Sequence, residues 1–503
     1  MEKARLLWFS YRGQDDYVHF SIVKKLKDEG LISFFVAVGK KPRKLDSSVL
    51  DEPLYSHNDF LFAKYQVLLS DGIPLLDQEI YRLCSDFEGE TLRMMDRLHG
   101  RGSENRSFDD FDTRRRMFLT HCSFWYNYLI DRQISHLVFI GVPHDVFTFV
   151  AYKVAHILGL QILILSPEKA GIPRQNGGIH YAAAHRQTSW TQSTFFVSES
   201  LEDIGDWNLS SELFKVGAKL KFHFLRDEFF FEPMLRNFSE LQQQETIRNS
   251  RGFIPSLFVQ LLSTPKKWFK LKELLKFRII SFKQRVLHNS TVRHLSGDHK
   301  SLLFCLSYQP EESTSPRAGI FVEQYFAIQA LSVLLPNGWK VRVREHPDQY
   351  GKRRPRPKFF LNEISLLPRV EIVDLDESSG ESLSRADAVS SATGTMAVEA
   401  WVKGIPVILL GKMWLKRAPG VFYVETIDDL KDAIQSICQG TKPSPEKIEA
   451  FKSWTISQSF LGSLGRIDPN NQELKSGTIQ NVENVFRSWL SIEVSGNAKN
   501  LFK

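Results

Sequence analysis

No apolar run in the chain of 503 residues reaches the roughly 18 to 20 needed to span a bilayer. The longest stretches, near Leu137 to Val150 and Ile157 to Leu165, are interrupted by Pro143, His144 and Asp145. The opening MEKARLLWFSYRGQDD has too short an apolar core and too early an acidic pair for a secretory signal, so a cytoplasmic protein is expected. Cysteine is scarce: Cys84, Cys122, Cys305 and Cys438 stand far apart with no CxxC pair. That spacing excludes a disulfide framework and a zinc-ribbon site and predicts buried free thiols. A carboxylate cluster able to hold a divalent metal is missing too, as is any nucleic-acid-binding motif, so neither a metal nor nucleic acid is expected as a partner.

Hydrophobic residues at 42% and charged residues at 24% are those of a globular chain long enough for two large domains or three small ones. The net charge of +7 is concentrated. From Lys266 to Arg293 nine cations face a single acid, Glu273, and Phe269, Leu271, Leu274, Leu275, Phe277 and others interleave with them. This is the pattern of a basic amphipathic helix, able to rest on an anionic membrane surface or to cover its own apolar stripe with lysine stems. The first reading makes the protein peripheral on the inner face of the cell membrane.

Strands alternate with helices in two blocks. The first holds strands at Leu6 to Ser10, Leu31 to Val38, His136 to Val142 and Leu160 to Leu165, with helices to Gly30 and over Asp145 to Leu158. The second restarts at Ser301 with strands Ser301 to Tyr308, Trp339 to Glu345, Val370 to Asp374 and Asp387 to Ser391, and a helix over Gly319 to Leu335. Alternation of this kind predicts parallel sheets covered on both faces. The fold class is α/β with two Rossmann-like domains facing across a cleft. The expected division is an N-terminal, acceptor-side domain over 1–255, a basic linker over 256–298, a C-terminal nucleotide-sugar-binding domain over 299–440 and a helical tail over 441–503.

The densest stretch is SSATGTMAVEAWVKGIPVILLG, Ser390 to Gly411. It reads as the end of a strand, a turn of small residues, a helix over Met396 to Lys403 stopped by Gly404, and a fully buried strand over Pro406 to Gly411. A helix N-terminus at the carboxyl edge of a parallel sheet binds anions, and Ser391, Thr393, Gly394 and Thr395 leave room for a phosphate. Glu399 stands four residues after Thr395, one too many for a capping box, and shares its helical face, where a carboxylate can accept from ribose hydroxyls.

Two further turns follow strands of the same block and share its edge: QPEEST, Gln309 to Thr314, and HPDQYGKRRPR, His346 to Arg356. Pro347 restricts His346 to an extended backbone, which turns the imidazole outward to meet a phosphate or protonate a leaving group. Lys352, Arg353, Arg354, Arg356 and Lys358 suit an anionic ligand or simple solvation. Glu311 is an acid of the first turn. In the first block Asp15, Asp16, His144 and Asp145 follow strands. Asp15 and Asp145 are candidate catalytic bases, and each is equally placed to cap a helix.

YQPEESTSP, VREHPDQYG and the Ser390 to Gly411 stretch, with the later PGVF, resemble bacterial capsule and surface polysaccharide biosynthesis proteins related to Kdo transferases, over Leu302 to Phe422. PHDVFTFVAYKVAHILGLQILIL, Pro143 to Leu165, is similar to a first-domain segment of that family. The resemblance implies a metal-independent GT-B glycosyltransferase that takes a nucleotide-sugar co-substrate, CMP-linked rather than UDP-linked, and a polysaccharide or glycolipid acceptor. It implies no bound cofactor. His346 and Pro347 would be the HP motif at the CMP phosphate, Ser391, Thr393, Gly394 and Thr395 its cradle, and Glu311 part of the QPE turn. Where the family pattern reads GTxGxEA this chain has Ala397 in place of glycine. Alternatives are a polyol-phosphate transferase using a CDP-alcohol, a non-catalytic nucleotide-binding assembly protein and, last, an epimerase of the UDP-N-acetylglucosamine type.

Overall fold

A computed structural model describes residues 3–9, 17–39, 47–61 without 62 onward except 63, then 76–95, 110–167, 171–172, 191–192, 194–198, 286, 288, 292, 299–309, 311–346, 349, 356, 360–457, 460–461 and 472–491. The chain divides into two compact units, Met1–Met234 with Lys452–Lys503, and Leu235–Phe451.

The first unit opens with β1 (Ala4–Phe9), α1 (Tyr17–Asp28), β2 (Ile32–Gly39) and the two-residue β3 (Tyr55–Ser56). Helices α2 (His57–Leu61), α3 (Gln78–Cys84), α4 (Glu88–Met94) and α5 (Phe111–Asp131) follow β3. Then come β4 (His136–Ile140), α6 (Val146–Ile157), β5 (Gln161–Pro167), the separate pair β6 (Gly171–Ile172) and β7 (Thr191–Gln192), and β8 (Thr194–Ser198). The sheet runs β8-β5-β4-β1-β2-β3, with β1 to β5 parallel and β8 antiparallel to β5.

Successive side chains of a strand point to opposite faces, and both faces of this sheet are covered. Leu7 and Phe9 therefore join one core with Trp125, Phe139 and Phe147, while Leu6 and Trp8 join another with Phe20, Val23 and Phe35. This is why the strands read as continuous apolar runs. Helix α5 is started by Asp110, whose carboxylate accepts the Thr113 amide at 2.9 Å.

The second unit holds β9 (Lys300–Cys305), α7 (Gln324–Leu334), β10 (Trp339–Arg344), α8 (Phe360–Ser365), β11 (Val370–Ile372), α9 (Ser379–Ser384), β12 (Ala388–Ser391), α10 (Thr395–Val402), β13 (Val407–Leu409), β14 (Val421–Tyr423) and α11 (Ile427–Cys438). Its six strands are parallel in the order β11-β10-β9-β12-β13-β14. One face carries Leu302, Phe304, Val341, Val343 and Ile408 into a core with α7 and α11. The helix expected over Gly319 to Leu335 is broken: a 3-10 turn covers Gly319–Val322, and Glu323, at φ −80 and ψ 78, separates it from α7. Gly404, at φ +76, closes α10 in a left-handed conformation that a side chain would resist.

Each sheet thus has the doubly wound order, 3-2-1-4-5 in the first and 3-2-1-4-5-6 in the second, so the chain is α/β with two Rossmann-like sheets. The region expected to be a tail is α12 (Pro445–Ser457), β15 (Phe460–Leu461) and α13 (Gln472–Leu490). Its last two elements build the first unit. β15 pairs antiparallel with β8 as a seventh strand. Helix α13 sends Val482, Val485, Phe486 and Trp489, a stripe at helical spacing, into the core of β1 and α1. Phe486 stacks on Trp8 with centroids 5.5 Å apart. The nine cations of the basic segment, and the loop GIPRQNGG beyond Ile172, lie outside the described residues.

Candidate functional site

In the 3-2-1-4-5-6 order the connections leave β9 and β12 in opposite directions, and the crevice opens above their carboxyl ends. The turn after β12 is SATGT. Ser391 Oγ donates to Cys305 O at 3.4 Å and accepts the Gly394 amide at 3.2 Å, tying the turn to β9. A Cβ on Gly394 would stand 2.7 Å from that oxygen, and one on Gly411 would meet Thr393 Cγ2 at 2.8 Å and Ala392 O at 3.0 Å, so two glycines shape the turn. Gly394 is the N-cap of α10 and provides no side-chain cap, and Thr395 is exposed in its first turn. Ala397 is fully buried, so its methyl points into the protein rather than across the helix start.

The three turns are tied together. Thr393 Oγ1 donates to Ser313 O at 2.8 Å, joining SATGT to QPEEST. Gln309 and Gln349 exchange bonds, Gln309 N to Gln349 Oε1 at 3.1 Å and Gln349 Nε2 to Gln309 O at 3.3 Å, joining QPEEST to the HP turn. Gln309 also donates from Nε2 to Val322 O. Arg356 completes the brace: Nε and Nη2 hold Glu345 at 2.6 and 2.8 Å, Nη2 reaches Ser307 O at 2.8 Å, and Nη1 reaches Gln309 Oε1 at 3.2 Å. Arg356, expected in an anion-binding cluster, is buried in this network, because the fork of a guanidinium satisfies Glu345 and two turn acceptors at once. Lys352, Arg353, Arg354 and Lys358 lie outside the described residues.

His346 is half-buried, its ring 5.8 Å from Tyr308, and its amide donates to Glu345 Oε1 at 2.7 Å. Pro347 lies outside the described residues. The Glu311 side chain is exposed, and its carbonyl accepts the amides of Thr314 and Ser315 at 3.1 Å. Glu399 is 7% exposed, one turn below Thr395. Burial pushes the Cys305 thiol up to about 12, with Arg344 pulling it down and Glu399 raising it further. Cys84, Cys122 and Cys305 are buried free thiols; Cys438 is exposed, because it ends the outer, solvated side of α11.

The first unit has a recess at its own switch point, where β1 and β4 end. It is lined by Phe9, His57, Phe139, Gly141, His144 and Phe147, among others. Asp145 is at the N-cap position of α6, yet its side chain caps nothing; its Oδ2 lies 2.9 Å from His57 Nε2 instead. His144 Nδ1 donates to Val142 O at 2.6 Å, which fixes that tautomer, since a carbonyl only accepts. His57 was not singled out in the sequence; it follows a two-residue strand too short to show periodicity. Asp15 and Asp16 lie outside the described residues. Among the described residues no group of three or more His, Cys, Asp or Glu gathers as metal ligands would. None of their helices is long and apolar enough to cross a membrane.

No protein-family profile matches the chain, and no curated protein does. Similar solved structures include the KpsC β-Kdo 2,7 transferase of Thermosulfurimonas dismutans, at 12% identity over 73% of this chain and 96% of that one, TM-score 0.27. They also include a UDP-GlcNAc 2-epimerase from Neisseria meningitidis bound to UDP-GlcNAc (12%, 97% and 100%, TM-score 0.22). A glycosyltransferase from Rickettsia africae is similar at 11%, over 97% of each chain, TM-score 0.23. Similarity at these TM-scores carries no weight for function, which rests on the chemistry of the turns.

Proposed function

We propose that the chain is a glycosyltransferase of surface polysaccharide or glycolipid synthesis whose second unit takes a nucleotide-sugar donor, CMP-linked in preference to UDP-linked. One observation carries this reading: three turns distant in sequence are bonded to one another at the switch-point edge of a six-stranded parallel sheet, beside an uncapped helix start. Such an edge suits a phosphate, because the first amides of a helix and a histidine on the same edge offset its charge.

In this reading Ser391, Thr393, Gly394 and Thr395 cradle the phosphate, His346 donates to it and protonates it as it leaves, and Pro347 presets the backbone of His346. Glu399 accepts from the ribose hydroxyls, and Glu311 stands at the rim of the edge. The recess of the first unit receives the acceptor hydroxyl. There the His57–Asp145 pair, with His57 in the recess lining and Asp145 behind it, is set beside that hydroxyl to receive its proton once the recess opens around the ring. Asp15 is the alternative base. Contact of residues 266–293 with anionic lipid belongs to the same reading and is tested by flotation with vesicles containing phosphatidylglycerol.

The deciding experiment is calorimetric titration of CMP, CDP and UDP into the parent, His346→Ala and Thr395→Val, with EDTA present and absent. Selective CMP binding that both variants lose, unaffected by EDTA, is the expected result. CDP preference would instead favour transfer of a polyol phosphate from a CDP-alcohol. Absence of nucleotide binding in the parent would sink both.

A further inference from the structure

The four cysteines stand far apart in sequence, yet the fold brings two of them together. Cys84 is the last residue of α3 and Cys122 lies in the middle of α5; the two helices pack on one another, and both thiols are buried in one core of the first unit. The contacts around them fix the facing. Arg115, Phe118 and Cys122 follow one another along a single side of α5 at helical spacing. Arg115 donates to the Tyr81 hydroxyl of α3 at 3.1 Å and to Glu88 at 2.9 Å, and Phe118 meets Phe87 edge-on with centroids 5.6 Å apart. Tyr81, Phe87 and Glu88 therefore face that side of α5, and Cys84, between them in sequence, is set against Cys122. Burial holds the Cys122 thiol well above the ordinary thiol range, and hydrogen bonding to the Cys84 thiol raises it further.

Two thiols in contact have a chemistry that one buried thiol lacks, since they can be joined to each other. Joining needs a thiolate and a way in for an oxidant, and the closed core offers neither, with Cys84 at 1% exposure and Cys122 at 0%. The way in is α3. It has seven residues and buries only Ile80 and Cys84, whereas α5 has 21 and buries nine. Elements with few buried contacts open most readily, so α3 lifts from α5 far more often than α5 leaves the core. That one motion uncovers Cys84 and the side of Cys122 that faces it.

We propose that Cys84 and Cys122 are a redox-active pair that closes to a disulfide by exchange with a small-molecule disulfide, fastening α3 to α5. Cys84, deprotonated while α3 is lifted, attacks one sulfur of the small disulfide; that S–S bond breaks, and one small thiolate leaves and takes up a proton. Cys122, deprotonated in turn, attacks the Cys84 sulfur of the mixed disulfide, and the second small thiol leaves. Two protein thiols are oxidised, one small disulfide is reduced to two thiols, and the two protons given up by the protein end on them. The link closes the loop between the two helices, so α3 opens less in the oxidised chain.

The test treats the full chain with oxidised glutathione, alkylates the remaining thiols in denaturant and maps the peptides by mass spectrometry. Expected is a Cys84–Cys122 linked peptide pair that dithiothreitol releases, formed faster in urea too dilute to unfold the chain. Amides of α3 should exchange hydrogen more slowly than in the reduced chain. Cys122→Ala should hold a glutathione on Cys84 in place of the link. Cys438 is exposed, and its modification reports that the oxidant has acted. Cys438 modified while Cys84 and Cys122 both remain alkylatable would overturn the pair, and linked chains whose α3 amides exchange as before would overturn the fastening.

Discussion

Arg356 grips both oxygens of Glu345, at 2.6 and 2.8 Å, and one of those oxygens also accepts the amide of His346 at 2.7 Å. The pair is buried, so removing one member leaves an uncompensated charge. Arg356→Ala is expected to cost about 3–5 kcal/mol. Arg356→Lys should fall between it and the parent, since an ammonium cannot span both carboxylate oxygens and the turn acceptors. The midpoint of urea unfolding at constant slope measures both, and a loss under about 1 kcal/mol for Arg356→Ala would show the pair to be solvated.

Gly394→Ala pushes its methyl against Ser391 Oγ, which must rotate away and lose its bonds to Gly394 and Cys305. The expected cost is about 1–3 kcal/mol in stability. Loss of nucleotide affinity should accompany it, whereas Ser391→Ala should reduce affinity with less strain. Gly411→Ala meets a backbone oxygen, which has nowhere to rotate, and should destabilise more than Gly394→Ala in the same denaturation assay.

Three buried histidines of the first unit resist protonation. Burial lowers His19 and His136 to about 4 and His121 to about 3, from 6.5. The unfolded chain takes up protons near pH 6.5 that the folded one refuses, so their stability contribution is complete above that pH and is lost as pH falls through 6 toward 4. Each steepens the loss by up to about 1.4 kcal/mol per pH unit. Unfolding midpoints should be nearly level between pH 8 and 7.5 and fall steadily below 6. His19→Phe, beside Trp8, should flatten that slope, and an unchanged slope would count against the assignment.

His57 and Asp145 are both nearly enclosed, so His57→Ala strands a buried carboxylate and should destabilise by about 3–5 kcal/mol. Asp145→Asn keeps a hydrogen-bonding partner and should cost less. If the pair serves the acceptor hydroxyl, Asp145→Asn slows transfer while CMP affinity stays within twofold of the parent. Equal losses in both would mark the pair as structural only.

The two sheets were legible because fully buried parallel strands are written as short unbroken apolar runs, as in LLFCLSY and LQILIL. The SATGT turn was legible because small residues, a helix and a glycine stop follow one another within 22 residues. The brace beneath it was not. Gln309, Gln349 and Glu345 look like ordinary loop polars, and Arg356 sits among cations that suggested a ligand; only tertiary contact separates the buried one. His57 was hidden by the brevity of β3. The role of α13 was hidden because nothing local to Phe486 and Trp489 points to Trp8 and His136, more than 350 residues away in sequence.

That last packing has a consequence for the order in which a nascent chain can mature. The second unit is contiguous and has all its described strands once residue 423 has been made. The first emerges from the ribosome earlier but lacks the helix that covers Leu6, Trp8 and Ile140 until Leu490 has followed it out. The N-terminal sheet must therefore wait, with the part of that face not covered by α1 still open, while the later-made unit folds, and chaperone binding during synthesis should concentrate on that part.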